Sequence, residues 1–93
     1  MNIIDFKLQD YTFQGTVVNG KKRYQLSGSF KTSHQDYPEE KDAPLYASTV
    51  TFKLLDAKGS VHEITESENQ ELEEILNDKI DEVIESSDKY KLF

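Results

Sequence analysis

The chain has 93 residues, of which 35% are hydrophobic and 31% are charged, and its net charge is −7 at pH 7. Its length suits a single domain spanning residues 1–93, and its apolar content is sufficient for a core, which excludes wholesale disorder. It has no cysteine, which excludes disulfides, thiolate metal sites and a cysteine nucleophile.

The charge is unevenly distributed along the chain. Residues 1–34 carry a net charge of +3, whereas residues 35–93 carry −10. A net-negative chain repels phosphate backbones, so we expect no direct binding to nucleic acid. Because the sequence has no basic leader before an apolar run and no apolar stretch of membrane-spanning length, we expect a soluble, cytoplasmic protein without membrane contact.

The strongest local pattern is TFQGTVVNGKKRYQLSGSF, residues 12–30. Asn19-Gly20 favours a two-residue type I′ turn, which would place Val18 opposite Lys21 in a hairpin of strands ending at 18 and spanning 21–31. One face is then apolar and the other mostly polar, as expected for strands half buried against a core. The apolar face would hold Tyr11, Phe13, Gly15, Val17, Tyr24, Leu26, Gly28 and Phe30.

Upstream, Ile4, Phe6 and Leu8 also alternate, but in the opposite phase to Tyr11 and Phe13. The phase must therefore change near residues 9–10. Either a β-bulge redirects one long strand over residues 3–18, or a turn separates two strands, and the short spacing favours the bulge.

Residues 32–46, TSHQDYPEEKDAPLY, contain two prolines and no periodicity, and they predict a long exposed loop. A second hairpin follows, with strands over 47–55 and 60–65 and a type I turn at residues 56–59 in which Gly59 is left-handed. Its apolar face would carry Val50, Phe52 and Leu54.

After Ile64 the period changes from 2 to 3.6, which predicts a helix over residues 67–86. Ser67 with Gln70 forms one candidate capping box, and Thr65 with Glu68 forms a rival that begins two residues earlier. The tail 87–93 either frays or places Tyr90 and Leu92 on the core. The apolar stripe of the helix consists of Leu72, Ile75, Leu76, Ile80, Val83 and Ile84.

The predicted fold class is α+β: an antiparallel sheet of four or five strands, built from two β-hairpins, packed against one C-terminal amphipathic helix. Common catalytic motifs are absent from the sequence, so we expect no enzymatic activity and no cofactor. His34 and His62 are too few and too distant in sequence to predict a metal site. The acidic loop lacks the glycine and final glutamate of a calcium-binding EF-hand.

The remaining candidate site is acidic. The helix segment QELEEILNDKIDEVIES, residues 70–86, contains seven acidic residues and a single lysine, Lys79. This surface either serves solubility or binds a positively charged partner protein. The hypothetical partner-binding residues are Glu66, Glu68, Glu71, Glu74, Asp78 and Glu82 in the helix and Asp36, Glu39, Glu40 and Asp42 in the loop.

The run TVTFKLLDAKGSVHEITESENQELEEIL, residues 49–76, resembles the strand, glycine turn, strand and acidic helix of some small phage-encoded anti-CRISPR proteins that block Cas9 by mimicking nucleic acid. The resemblance covers 28 residues, and the N-terminal half departs from it because that family begins with a helix. It implies a mobile-element protein that inhibits a nucleic-acid-binding machine through carboxylates such as Glu66, Glu68, Glu71 and Glu74.

The sequence therefore predicts a non-enzymatic interaction module, monomeric or homodimeric, that presents a negative surface to a basic protein. The alternative is a homodimeric accessory protein that associates through its sheet, because the apolar strand faces could exceed what one helix can cover.

Overall fold

The fold is described for residues 1–40, 42–87 and 90 of a computed structural model. Four antiparallel strands form one sheet in the order β1-β2-β3-β4, and a C-terminal helix packs on one side of it. The predicted α+β class is confirmed. The strands are β1 (Asn2–Gln9), β2 (Thr12–Asn19), β3 (Lys22–Thr32) and β4 (Ala47–Leu55), and the helices are α1 (Ser33–Asp36) and α2 (Glu66–Ser86).

The prediction of one long bulged strand over residues 3–18 is wrong, because β1 and β2 are two paired strands joined by a tight turn. Gln9 pairs with Thr12, and Asp10 occupies the left-handed region with φ +54°. A bulge is also present, but it lies within β1. Asp5, with φ +53°, and Phe6 together stand opposite Gly15. This bulge moves Ile3, Phe6 and Leu8 onto the core side despite their mixed parity.

The β2–β3 hairpin forms with a register two residues away from the predicted one. Val18 pairs with Arg23 instead of Lys21, so Gly20 and Lys21 form the turn. Gly20 has φ +64° and Lys21 is not left-handed, which is the pattern of a type II′ turn. Because a shift of two residues preserves side-chain parity, the predicted apolar face is nevertheless confirmed.

The predicted strand over residues 60–65 is wrong. The turn before it forms as expected, with the Gly59 N–H donating to Asp56 O (2.9 Å) and Gly59 at φ +82°. Pairing then stops after an isolated bridge between Leu55 and Val61 and one hydrogen bond from His62 N–H to Leu54 O (2.8 Å). The chain leaves the sheet at this point to start α2.

The prediction of a long loop over residues 32–46 is wrong, because this segment contains secondary structure. It includes α1 and a 3₁₀ turn, Pro38–Glu40. Hydrogen bonds close the segment: Ser33 N–H donates to Tyr46 O (2.8 Å), and His34 Nε2 lies 3.0 Å from Ala43 O. Hydrogen bonds therefore join the two ends of this proline- and acid-rich segment.

The core lies between the sheet and α2. Leu72, Leu76, Ile80 and Ile84 of α2 are fully or almost fully buried, and each contributes about 1.5–3 kcal/mol by leaving water. In the tail, Tyr90 docks beside Tyr11 and Phe30, whereas Leu92 lies outside the described residues. The sheet supplies Ile3, Phe13, Val17, Tyr24, Leu26, Phe30, Ala47 and Leu54.

Candidate interaction surface

The side of α2 that points away from the core forms the acidic face, centred on Glu74, Asp78 and Glu82. All three side chains are exposed. They follow one another at i, i+4 and i+8, on the opposite side of the helix from the buried leucine and isoleucine stripe. Like charges at this spacing destabilise a helix by about 0.2–0.5 kcal/mol per pair. Core burial outweighs this repulsion, so α2 forms despite its charge.

The basic residue of α2 does not neutralise this face. Lys79 is half buried, and its Nζ lies 5.9 Å from the ring centroid of Phe6 on β1. Within residues 1–40, 42–87 and 90, the Met1 α-ammonium pairs with Glu71 (3.5 Å), and His62 Nε2 pairs with Glu68 Oε2 (3.4 Å). Neither pair includes a residue at the centre of the acidic face.

Glu68, in the first turn of α2, takes part in the N-terminal cap of the helix. Thr65, rather than Ser67, is the N-cap: its Oγ1 accepts the Glu68 N–H (3.2 Å), and Glu68 Oε1 accepts the Thr65 N–H (3.1 Å). The hydrogen bonds from Thr65, followed by the contact with His62, lower the pKa of Glu68. Of the predicted partner-binding residues in the helix, Glu68 is thus already engaged in capping.

Asp36 is likewise engaged within the fold. Its Oδ2 accepts a hydrogen bond from Ser48 Oγ and another from Thr49 Oγ1 (2.7 Å), which tie the end of α1 to β4. These two hydrogen bonds, with a smaller contribution from Lys31, lower the pKa of Asp36. The other predicted loop residues, Glu39, Glu40 and Asp42, are exposed.

The predicted residues therefore lie on two separate elements. Glu66, Glu71, Glu74, Asp78 and Glu82 are exposed along α2, whereas the loop acids lie on or beside α1 and its 3₁₀ turn. Both elements are attached to β4, since α1 and α2 each pack against that strand. A hydrogen bond from Ala47 N–H to Asp81 Oδ1 (2.8 Å) fixes the start of β4 to α2.

The two histidines occupy structural positions. His62 stacks on Tyr24 with ring centroids 4.4 Å apart, and His34 lies beside the Ala43 carbonyl. Among the described residues, no group of three or more His, Cys, Asp or Glu side chains is placed to hold a metal ion. None of the helices described here has the length and apolar character needed to cross a membrane.

Comparisons of the chain with protein-family models, with curated proteins and with solved structures found no match.

A second charged surface was not predicted from the sequence. Lys7 lies on β1, Arg23 and Lys31 lie on β3, and Lys53 lies on β4, and the register places all four on the side of the sheet away from α2. The parity of these residues within the predicted strands was the sequence signal that could have placed them on one face. The strand pairing of β3 with β4 was needed to bring Lys53 beside the others.

Proposed function

We propose that the protein is a small, non-enzymatic interaction module whose acidic face binds a positively charged surface of another protein. The observation that carries this proposal is the exposed row of Glu74, Asp78 and Glu82, from which Lys79 turns away. A helix that needed only solubility could interleave lysines at i+4 and gain stability from each pair. The uncompensated row is better explained by an external cationic partner.

The spacing of the row suits a surface that normally binds nucleic acid. Residues four apart in a helix rise about 6 Å along its axis, which is close to the rise of two nucleotides in one DNA strand, about 6.8 Å. Together with the resemblance of residues 49–76 to Cas9-inhibiting anti-CRISPR proteins, this spacing supports inhibition of a nucleic-acid-binding machine by occupation of its basic groove.

The sheet-mediated homodimer is less well supported. It was predicted from a possible excess of apolar strand surface, but Phe13, Tyr24 and Leu54 are buried beneath α2 and its neighbours. Among the described residues, the large hydrophobic side chains that are exposed are Tyr37, Tyr46 and Val61, none of which lies within a strand.

The proposal is tested by capture from a bacterial lysate at about 50 mM salt, where surface charges are weakly screened. The native protein is compared with a helix-neutral variant, Glu74→Gln/Asp78→Asn/Glu82→Gln. A charge-matched control is the loop-neutral variant, Glu39→Gln/Glu40→Gln/Asp42→Asn. We expect the native and loop-neutral proteins to retain the same basic partner and the helix-neutral variant to lose it.

Two outcomes would contradict the proposal. Equal loss of the partner in both variants would mean that net charge, and not the acidic face, governs retention. Retention by all three proteins, or by none, would mean that the acidic face is only a solvated helix surface.

A further inference from the structure

The side of the sheet away from α2, here called the open face, is exposed and mostly polar. Its strand positions alternate with the buried ones and are rich in serine, threonine and glutamine. A shallow depression of about 920 Å³ lies on it, lined by residues that include Lys7, Gln14, Ser27 and Ser29. No residue of α2 contributes to this lining, so the depression belongs to the open face.

The open face has a charge opposite to that of the acidic face. Lys7, Arg23, Lys31 and Lys53 all project from it and are exposed. Two acids partly offset these four cations: Asp5 borders a smaller depression at the β1 bulge, and Asp36 is bonded to Thr49 and lies close enough to Lys31 to interact with its charge. The molecule is thus bipolar, with a basic sheet surface on one side and a strongly acidic helix on the other.

We propose that the open face binds the acidic face of α2 of a second copy of this chain. The two surfaces are complementary in charge, and every molecule carries both of them. They also match in length, since 21 residues of α2 span about 31 Å and 11 residues of β3 span about 36 Å. This association does not depend on the proposed function, because it needs no foreign partner.

The arrangement is head to tail. A symmetric contact between two open faces would place Lys7, Arg23, Lys31 and Lys53 against the same cations of the other copy, and such like-charge juxtaposition is unfavourable. A head-to-tail contact uses different surfaces on the two molecules, so it generates rings or open chains instead of closed dimers.

Nucleic acid is a poorer occupant of the open face. The open face of the described strands carries no aromatic side chain on which bases could stack, and the net charge of −7 repels a polyanion. The carboxylates of a second copy need only salt contacts and hydrogen bonds to lysine, arginine, serine and threonine, which this surface supplies.

The available area predicts weak association. Four strands about 4.8 Å apart and a contact length of about 30 Å give a patch of roughly 400 Å² per partner, half of the roughly 800 Å² of a standard interface. We therefore expect self-association only at high protein concentration and low salt, because charge contacts on exposed surfaces are screened.

The test is sedimentation velocity of the purified protein at up to about 1 mM, in about 10 mM and about 0.5 M salt. The sheet-neutral variant is Lys7→Gln/Arg23→Gln/Lys53→Gln, and the helix-neutral variant is the one defined above. A charge-matched control, Lys21→Gln/Lys22→Gln/Lys58→Gln, alters exposed lysines in turns or at the start of β3, outside the open face. All substituted positions are exposed, and far-UV circular dichroism verifies that each variant is folded.

The native and turn-lysine proteins should form oligomers at low salt and dissociate at high salt, whereas each neutral variant should remain monomeric alone. Mixing the two neutral variants should restore association, but only as 1:1 pairs, because one supplies an intact helix and the other an intact sheet.

The proposal is overturned if the native protein is monomeric throughout, or if the helix-neutral variant still dimerises. It is also overturned if the mixture stays monomeric, or if the open face of a monomeric native protein binds a labelled 20-nucleotide single strand instead.

Discussion

At the residue scale, Gly28 on β3 is the glycine with the closest neighbours. A Cβ at this position would lie 2.6 Å from Phe13 Cζ and would also meet the carbonyl oxygen of Thr51. The Phe13 ring is buried against this position, and the backbone oxygen has no freedom to move aside. The absence of a side chain at residue 28 therefore lets Phe13 enter the core.

Gly28→Ala should lower the free energy of unfolding by about 1–3 kcal/mol, because the added methyl group overpacks the contact with Phe13. Urea denaturation at neutral pH measures the change. Gln25→Ala, at an exposed position of the same strand, is the control and should change stability by no more than about 0.5 kcal/mol. Equal stability of Gly28→Ala and the native protein would show that this approach is not a constraint.

Asp36 makes stability dependent on pH. Its pKa is lowered in the folded state by the hydrogen bonds from Ser48 and Thr49, so its contribution is present above the ordinary aspartate pKa, about 3.9, and is lost as pH falls through the lower folded value. Glu68 acts in the same direction through its bonds to Thr65.

We therefore expect the melting temperature to fall between pH 6 and pH 3, and to fall less steeply in Asp36→Asn than in the native protein. Asp42→Asn, at an exposed position of the same segment, is the matched control. A native-like slope in Asp36→Asn would show that the link between α1 and β4 does not depend on the charge of Asp36.

At the element scale, the start of α2 decides between two capping boxes that the sequence left open. Thr65 and Glu68 form the reciprocal pair of hydrogen bonds, and Ser67 is an exposed residue within the first turn. Thr65→Ala should cost about 1 kcal/mol of stability, while Ser67→Ala should cost no more than about 0.5 kcal/mol. Thermal unfolding of the two variants compares them directly, and a larger loss for Ser67→Ala would contradict the assigned N-cap.

Periodicity predicted the strands and the helix that have one apolar face. The parity of β2, β3 and β4 follows from alternation and the stripe of α2 from the 3.6-residue repeat, and strand parity survives a register shift of two residues. Asp5 and Asp10 escaped prediction because a left-handed aspartate has no pattern that distinguishes it from an ordinary one. The strand at 60–65 was predicted from alternation through Ile64, but pairing stops at the Leu55–Val61 bridge and the chain leaves the sheet to reach the N-cap Thr65.

The candidate site was predicted in part. Glu74, Asp78 and Glu82 could be placed on the exposed side of α2 from spacing alone. The engagement of Glu68 with Thr65 and of Asp36 with Ser48 could not, because each depends on where a neighbouring element begins or folds back. The basic open face was missed because its cations come together only through pairing of distant strands.

At the scale of the whole molecule, two surfaces of opposite charge lie on opposite sides of the fold. α2 covers the apolar side of the sheet and turns its carboxylates outward, while the other side of the sheet remains open and basic. A basic partner and a second copy would then compete for the same acidic face, so binding to the partner should be strongest at protein concentrations below those that favour self-association.

Competition with DNA tests the proposal that the acidic face substitutes for nucleic acid on a basic protein. The captured partner is held on the immobilised native protein at about 50 mM salt, and a 20-base-pair DNA duplex is added at constant ionic strength. The duplex should release the partner in a concentration-dependent way. Full retention of the partner by the protein, together with binding of the duplex to that same complex, would contradict the proposal.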